Sequence, residues 1–180
     1  YNVSDASGNA ASEVTRTVNV VDTTIPVITL TGDEIVTIEV GTSYTDAGAT
    51  ASDNIDGDIT STIITVNTVD TDVVASYTVT YNVSDASGNA ATEVTRTVNV
   101  VDTTIPVITL TGAAIVTIEV GTTYVDGGAT ATDNYDDDTA LSTNIITVNT
   151  VDTDVVASYT VTYNVSDASG NAATEVTRTV

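Results

Sequence analysis

The stretch "DNIDGD" places three carboxylates, Asp53, Asp56 and Asp58, in one short polar segment, with Gly57 letting the backbone bend. Carboxylate oxygens at alternating loop spacing are the hard ligands that calcium takes. The segment is not an EF-hand, because its flanks lack helical spacing and no bidentate glutamate closes the loop. Its counterpart "DNYDDD" keeps the same chemistry in another spelling, with Asp133, Asp136, Asp137 and Asp138.

Other chemistries are excluded by missing residue types. The chain has no His and no Cys, and its three basic residues, Arg16, Arg96 and Arg178, leave no Lys. A Ser-His or Cys-His pair, a Schiff base and a zinc set are therefore all out of reach. Paired carboxylates alone suffice to cleave a glycosidic bond. A sugar site normally adds aromatic platforms, however, and the only aromatic here is Tyr, mostly at core-facing strand positions. No enzymatic activity is expected. A formal net charge of −22 repels nucleic acid and anionic membranes, both of which need a basic face. Nor does any run approach the ~18 apolar residues of a membrane span.

Those acidic loops must be held by strands. Although acidic, the chain is 41% hydrophobic and rich in Val, Ile and Thr, which favours pleated, half-buried strands over disorder. "YTVTYNV" sets Tyr77, Val79, Tyr81 and Val83 on one face and Thr78, Thr80 and Asn82 on the other. "DASGN" (Asp85–Asn89) supplies a turn, with positive φ expected at Gly88. "EVTRTVNV" then returns, with Val94, Val98 and Val100 on one face, so the two strands form a hairpin. Arg96 shares the parity of those valines, which implies a bulge or edge position, or else a specific carboxylate partner. Val27–Thr31, Ile35–Val40, Gly48–Ala51 and Thr62–Thr68 read as further strands, and helical spacing is nowhere convincing. About seven short strands per unit point to an all-β, two-sheet antiparallel sandwich.

The hairpin sequence is repeated. Tyr1 recurs as Tyr81 and then Tyr163, steps of 80 and 82 (81 − 1 and 163 − 81). The two extra residues fall within Ala129–Thr150, in the acidic segment, as a surface loop tolerates. "VDTTIPVITLTG" at Val21 and Val101 marks the joins. This divides the chain into Tyr1–Val21, the closing hairpin of a preceding unit; Asp22–Val101, a complete unit; and Asp102–Val180, a second lacking its last few residues.

"GTSYTDAGATASDNIDGDIT" and "VASYTVTYNVSDASGNAATEVTRTVNV" resemble the immunoglobulin-like, hyalin-repeat-related modules that recur in tandem in large bacterial surface proteins and adhesins. The resemblance spans nearly the whole unit, twice. It implies tandem immunoglobulin-like sandwiches, a structural or adhesive role, and an extracellular, cell-surface location. It also implies that Tyr77 and Tyr159 brace the corner before the penultimate strand, with their hydroxyls bonded to upstream backbone.

Tandem stalk modules need stiff joints. Disulfides, Lys–Asn isopeptides and Thr–Gln esters are excluded for want of Cys, Lys and Gln. "VDTTIP" lacks Gly and Ser, and Pro26 and Pro106 fix φ, so little slack is expected between units. In a sandwich of this order the acidic loop and "VDTDV" are expected at the pole where the last strand exits. Asp53, Asp56, Asp58, Asp70, Asp72 and Asp102 would then crowd one junction, and a calcium ion would turn their repulsion into a brace. Asp46 and Asp126, before a short strand, are weaker candidates; Asp33-Glu34 becomes Ala113-Ala114 and is set aside. The function this implies is a calcium-rigidified spacer of an extracellular stalk or filament, whose partners are neighbouring repeats of the same long chain. The alternatives are a ligand- or glycan-binding adhesive module and a strand-exchanged filament subunit that self-associates. "NVS" at Asn2, Asn82 and Asn164 provides glycosylation sequons.

Overall fold

A computed structural model describes the whole chain, Tyr1–Val180. The first repeat forms β1 (Val27–Leu30), β2 (Ile35–Glu39), β3 (Ala49–Asp53), β4 (Gly57–Asp58), a 3-10 turn at Thr60–Thr62, β5 (Ile64–Val66), β6 (Ala75–Asn82) and β7 (Val94–Val101). The second forms β8 (Val107–Leu110), β9 (Ala129–Thr132), α1 (Asp138–Thr143), β10 (Ile146–Asn149), β11 (Thr160–Asn164) and β12 (Val176–Thr179). No helix is long and apolar enough to cross a membrane.

Strand order in the first repeat is β1-β3-β4 in one sheet and β2-β7-β6-β5 in the other. In the second it is β8-β9 and β10-β11-β12. The sheets are antiparallel as expected, with one departure. β2 runs parallel to β7, Ile35 opposite Thr97 and Glu39 opposite Val101. The chain leaves the first sheet after Leu30, turns, and joins the second sheet beside its last strand, a crossover that hydrophobic alternation does not encode.

Compact units do not follow the sequence repeats. One is Tyr1–Glu34, Ala47–Asn67 and Val79–Arg96; the other is Ile35–Asp46, Thr68–Thr78 and Thr97–Val180. The first unit buries Ile28, Ala51, Val79, Tyr81 and Val83. The alternation of β6 therefore falls as its spelling predicts, Val79 and Tyr81 wholly inside and Thr80 and Asn82 half-covered. The second unit has a core of Ile108, Ala131, Leu141, Val161, Tyr163 and Val165, drawn from both of its sheets. Each such apolar side chain contributes about 1.5–3 kcal/mol on burial.

Two local details depart from the regular strand pattern. Residues Tyr1–Val21 form the turn, with Asp5 capping Ser7 and Asn9, and pair across it, Ser4 with Ala10 and Val14 N donating to Tyr1 O at 3.2 Å, but without the regular strands of β6–β7. The second is a helix where none was expected. Asp137 caps α1 by accepting Ala140 N at 2.8 Å, and Leu141 is driven into the core. The 3-10 turn of the first repeat occupies the same place. There Thr60 Oγ1 accepts Ala51 N at 3.0 Å, the contact that Ser142 Oγ makes with Ala131 N at 2.9 Å. The two inserted residues lengthen the turn into a helix while keeping that hydroxyl bridge.

Candidate metal centres

Strand register decides where the acidic loops lie. β1 and β3 are antiparallel, with Val27 opposite Ser52, so the end of β3 returns to the point where the linker enters. Asp53, closing β3, therefore stands beside Asp22 in the incoming linker. The β6–β7 turn reaches the same place, for Asn89 Nδ2 donates to Asp22 O at 3.2 Å and to Asp85 Oδ2 at 2.7 Å. Gly88 takes the left-handed φ of 89° that closes this turn. The result is a cluster of Asp22, Asp53 and Asp85, each offering a carboxylate oxygen within 4.8 Å of the others.

The second repeat rebuilds the site one register of the repeat later. Asp102, Asp133 and Asp136 converge within the same 4.8 Å, and Asn171 Nδ2 ties the turn to Asp102 O at 3.1 Å. Asp102 is only 6% exposed. Burial pushes its carboxyl above the ordinary value, and the charges of Asp133 and Asp167 push the same way. Asp102 Oδ2, Asp133 Oδ1 and Asp136 Oδ2 are buried without a hydrogen-bond partner, as are Asp22 Oδ2 and Asp53 Oδ1 in the first cluster. Buried carboxylate oxygens with no donor are costly unless a cation faces them.

The donor set fits a calcium ion. Calcium takes hard oxygens at about 2.3–2.6 Å, so two oxygens sharing an ion stand no more than about 5 Å apart. Both clusters lie inside that limit. Their four equivalent positions are the linker Asp, two loop Asp and the turn Asp: Asp22, Asp53, Asp56, Asp85 and Asp102, Asp133, Asp136, Asp167.

The expected gathering of six carboxylates at one junction is not what the chain forms. Asp102 joins the loop of the repeat that follows it rather than Asp53 and Asp56 of the repeat before. Asp70 and Asp72 join neither cluster; Asp70 Oδ1 caps Asp72 N at 3.0 Å and Gly41 N donates to Thr71 O at 2.8 Å. Asp58 caps Thr60 N at 2.9 Å, and Asp56 Oδ2 accepts Ala86 N at 2.8 Å. Asp137 caps α1, and Asp138 Oδ1 accepts Asp133 N at 3.1 Å. The cause is the antiparallel β1–β3 pairing, which sends the loop after β3 to the leading pole. Asp85 and Asp167 were missed because an Asp opening "DASGN" reads as an ordinary turn cap, and Asp22 because it was read only as the first residue of a unit. The available signal was the identical spelling of linker and turn in every copy.

A second buried polar group lies away from these clusters. Arg178 is 1% exposed; it pairs with Asp126 and donates to Tyr163 Oη at 3.0 Å, Thr111 O at 2.6 Å and Ala113 O at 3.0 Å. Arg96, also 1% exposed, donates to Tyr81 Oη at 2.9 Å, Thr31 O at 2.5 Å and Asp33 O at 2.8 Å. An edge or bulge position with the guanidinium reaching water is thus excluded. Each arginine gathers carbonyls where the chain crosses between sheets. Asp126 serves this network, accepting also from Tyr124 Oη at 2.8 Å. Burial, then the bond to Asp126, pushes the Tyr163 hydroxyl up to about 12.

The family described as "Bacterial surface protein, Ig-like domain" matches residues 28–100 and again 108–180. The chain belongs to this family. Its Ig-like repeats are also 35% identical over 185 residues to hyalin of Strongylocentrotus purpuratus, covering 96% of this chain and 15% of that protein. Hyalin of Lytechinus variegatus is 37% identical over 130 residues, covering 68% of this chain and 24% of its own length. The chain therefore spans a quarter or less of the curated relatives it matches. A lipoprotein of Bacteroides thetaiotaomicron aligns over 47% of this chain and 45% of its own at 27% identity, with a TM-score of 0.39, too low to carry the fold.

The Ig-like repeats carry the tyrosine brace in both copies. Tyr77 Oη donates to Val73 O, and Tyr159 Oη to Val155 O, each at 3.2 Å. Asn82 and Asn164 lie in strands, their amide nitrogens donating to Glu93 at 2.7 Å and Glu175 at 2.8 Å, while Asn2 is exposed.

Proposed function

We propose that this chain is a non-catalytic spacer of an extracellular surface stalk, its consecutive Ig-like repeats braced by calcium where each linker enters a sandwich. The observation that carries this reading is the convergence of Asp102, Asp133 and Asp136, with a donorless buried oxygen on each. Asp102 follows β7 of one repeat directly, while Asp133 and Asp136 belong to the loop of the next. A cation held by all three bridges the end of one repeat and the body of its neighbour. Asp22, Asp53 and Asp85 gather at the corresponding place one repeat earlier, with the turn Asp85 as third member where the second repeat uses the loop Asp136. Family membership supports the surface role, and the high acidity suits a calcium-containing extracellular fluid.

Isothermal titration with calcium tests the reading. Two sites per chain are expected, with dissociation constants of about 0.1–1 mM, as in other extracellular modules. Asp102→Asn removes one of them. Absence of calcium-dependent heat in the wild-type chain contradicts the reading.

A further inference from the structure

We propose that Tyr135 is a latch between consecutive repeats, and that the residue type at its loop position sets how firmly each junction is held. Tyr135 lies between Asp133 and Asp136. Asp133 Oδ2 fixes the loop by accepting Tyr135 N at 2.9 Å and Asp136 N at 3.3 Å. This presents the Tyr135 side chain to the trailing pole of the first repeat. Its hydroxyl accepts the Val74 N–H at 3.4 Å, and it shares a cleft of about 320 Å³ with Val40, Gly41 and Asp72. Val40 is 6% exposed there. The seat thus lies at the end of a sandwich, and its occupant is the Asp-flanked tyrosine of the repeat that follows.

The first repeat spells the same loop position Ile55. Isoleucine has no hydroxyl to accept an amide and less surface to cover a valine. The two spellings "DNID" and "DNYD" therefore encode a loose and a latched junction on the same metal-ligand frame. The contacts of Tyr135 need no cation. Only their coupling rests on the calcium reading: an ion that orders the loop through Asp133 and Asp136 favours the seated tyrosine, and the seated tyrosine favours the ion by the same factor.

Hydrogen exchange of the Val74 amide, resolved by NMR in the 180-residue chain with calcium and with chelator, tests the latch. Tyr135→Phe removes only the acceptor and is expected to speed Val74 exchange several-fold. Tyr135→Ile, the first repeat's own choice, is expected to do so at least as strongly, with the β6 and β7 core amides unchanged. Equal Val74 exchange in the wild type and both variants overturns the proposal. A wild-type chain whose calorimetric titration and Val74 exchange both ignore calcium contradicts the metal reading instead, and the Tyr135→Phe comparison then decides the latch alone.

Discussion

The Glu39 carboxylate, at the end of β2, is bonded to Thr103 in the linker. It accepts the Thr103 amide at 3.0 and 3.1 Å and the Thr103 hydroxyl at 2.7 Å. Thr104 adds its amide at 3.2 Å and its hydroxyl at 2.8 Å. One side chain thus collects both threonines of the linker, beside the φ restriction that Pro106 imposes. The joint thus carries a polar clamp beside its covalent restriction.

The clamp is acid-sensitive. Hydrogen bonds from the Thr103 hydroxyl and amide, then from Thr104, lower the Glu39 carboxyl from 4.5 to about 2. A carboxyl lowered in the folded state stabilises fully above its unfolded value, and that stability is lost as pH falls through the folded one. Melting in chelator should show wild type above Glu39→Gln at neutral pH, with the difference shrinking between pH ~4.5 and ~2. A difference that stays constant across this range contradicts the clamp.

Arg178 is expected to be a large single contributor to the second repeat. Arg178→Met strands Asp126 and the carbonyls of Thr111 and Ala113 in the interior. Breaking a buried pair on one side costs about 3–5 kcal/mol. Denaturant unfolding measures it, and a loss under 1 kcal/mol would mean that water already reaches the group.

The helix that replaces the 3-10 turn can be dissected. Leu141→Ala should cost about 2–4 kcal/mol as a buried large-to-small change. Asp137→Ala should cost about 1 kcal/mol by removing the cap on Ala140 N. If both variants unfold at the wild-type denaturant concentration, α1 is not part of the cooperative core.

Asp22 and Asp85 separate the observed cluster from the loop-only reading. Asp22→Asn or Asp85→Asn should weaken calcium binding at the first site as much as Asp53→Asn does. Asp58→Asn and Asp70→Asn, which alter local caps, should leave the titration unchanged. The reverse pattern would assign the ion to "DNIDGD" alone.

Most of the sandwich was legible because β6 and β7 alternate cleanly; Val79, Tyr81, Val98 and Val100 are all buried as their parity requires. Crossovers were not legible. Nothing in "IVTIE" tells a strand pairing parallel from one pairing antiparallel, and that choice also fixes which pole each loop occupies. The candidate ligands divided for the same reason. Asp133, Asp136 and Asp102 were recognised by type, but their grouping depends on β-register. Asp85 looked like a turn residue because it is one: both its oxygens accept from Asn89 while its carboxylate also faces Asp22 and Asp53. Arg96 and Arg178 broke the apolar parity, and several of the bonds that make this tolerable come from residues more than sixty positions away.

Calorimetric melting of the chain and of Asp102→Asn, each in millimolar calcium and in chelator, tests the central claim most directly. A cation at ten times its dissociation constant stabilises by about 1.4 kcal/mol per site. The wild type should therefore melt several degrees higher in calcium, and Asp102→Asn should lose the part of that gain belonging to the second repeat. Superimposable wild-type melts with calcium and with chelator would contradict the account.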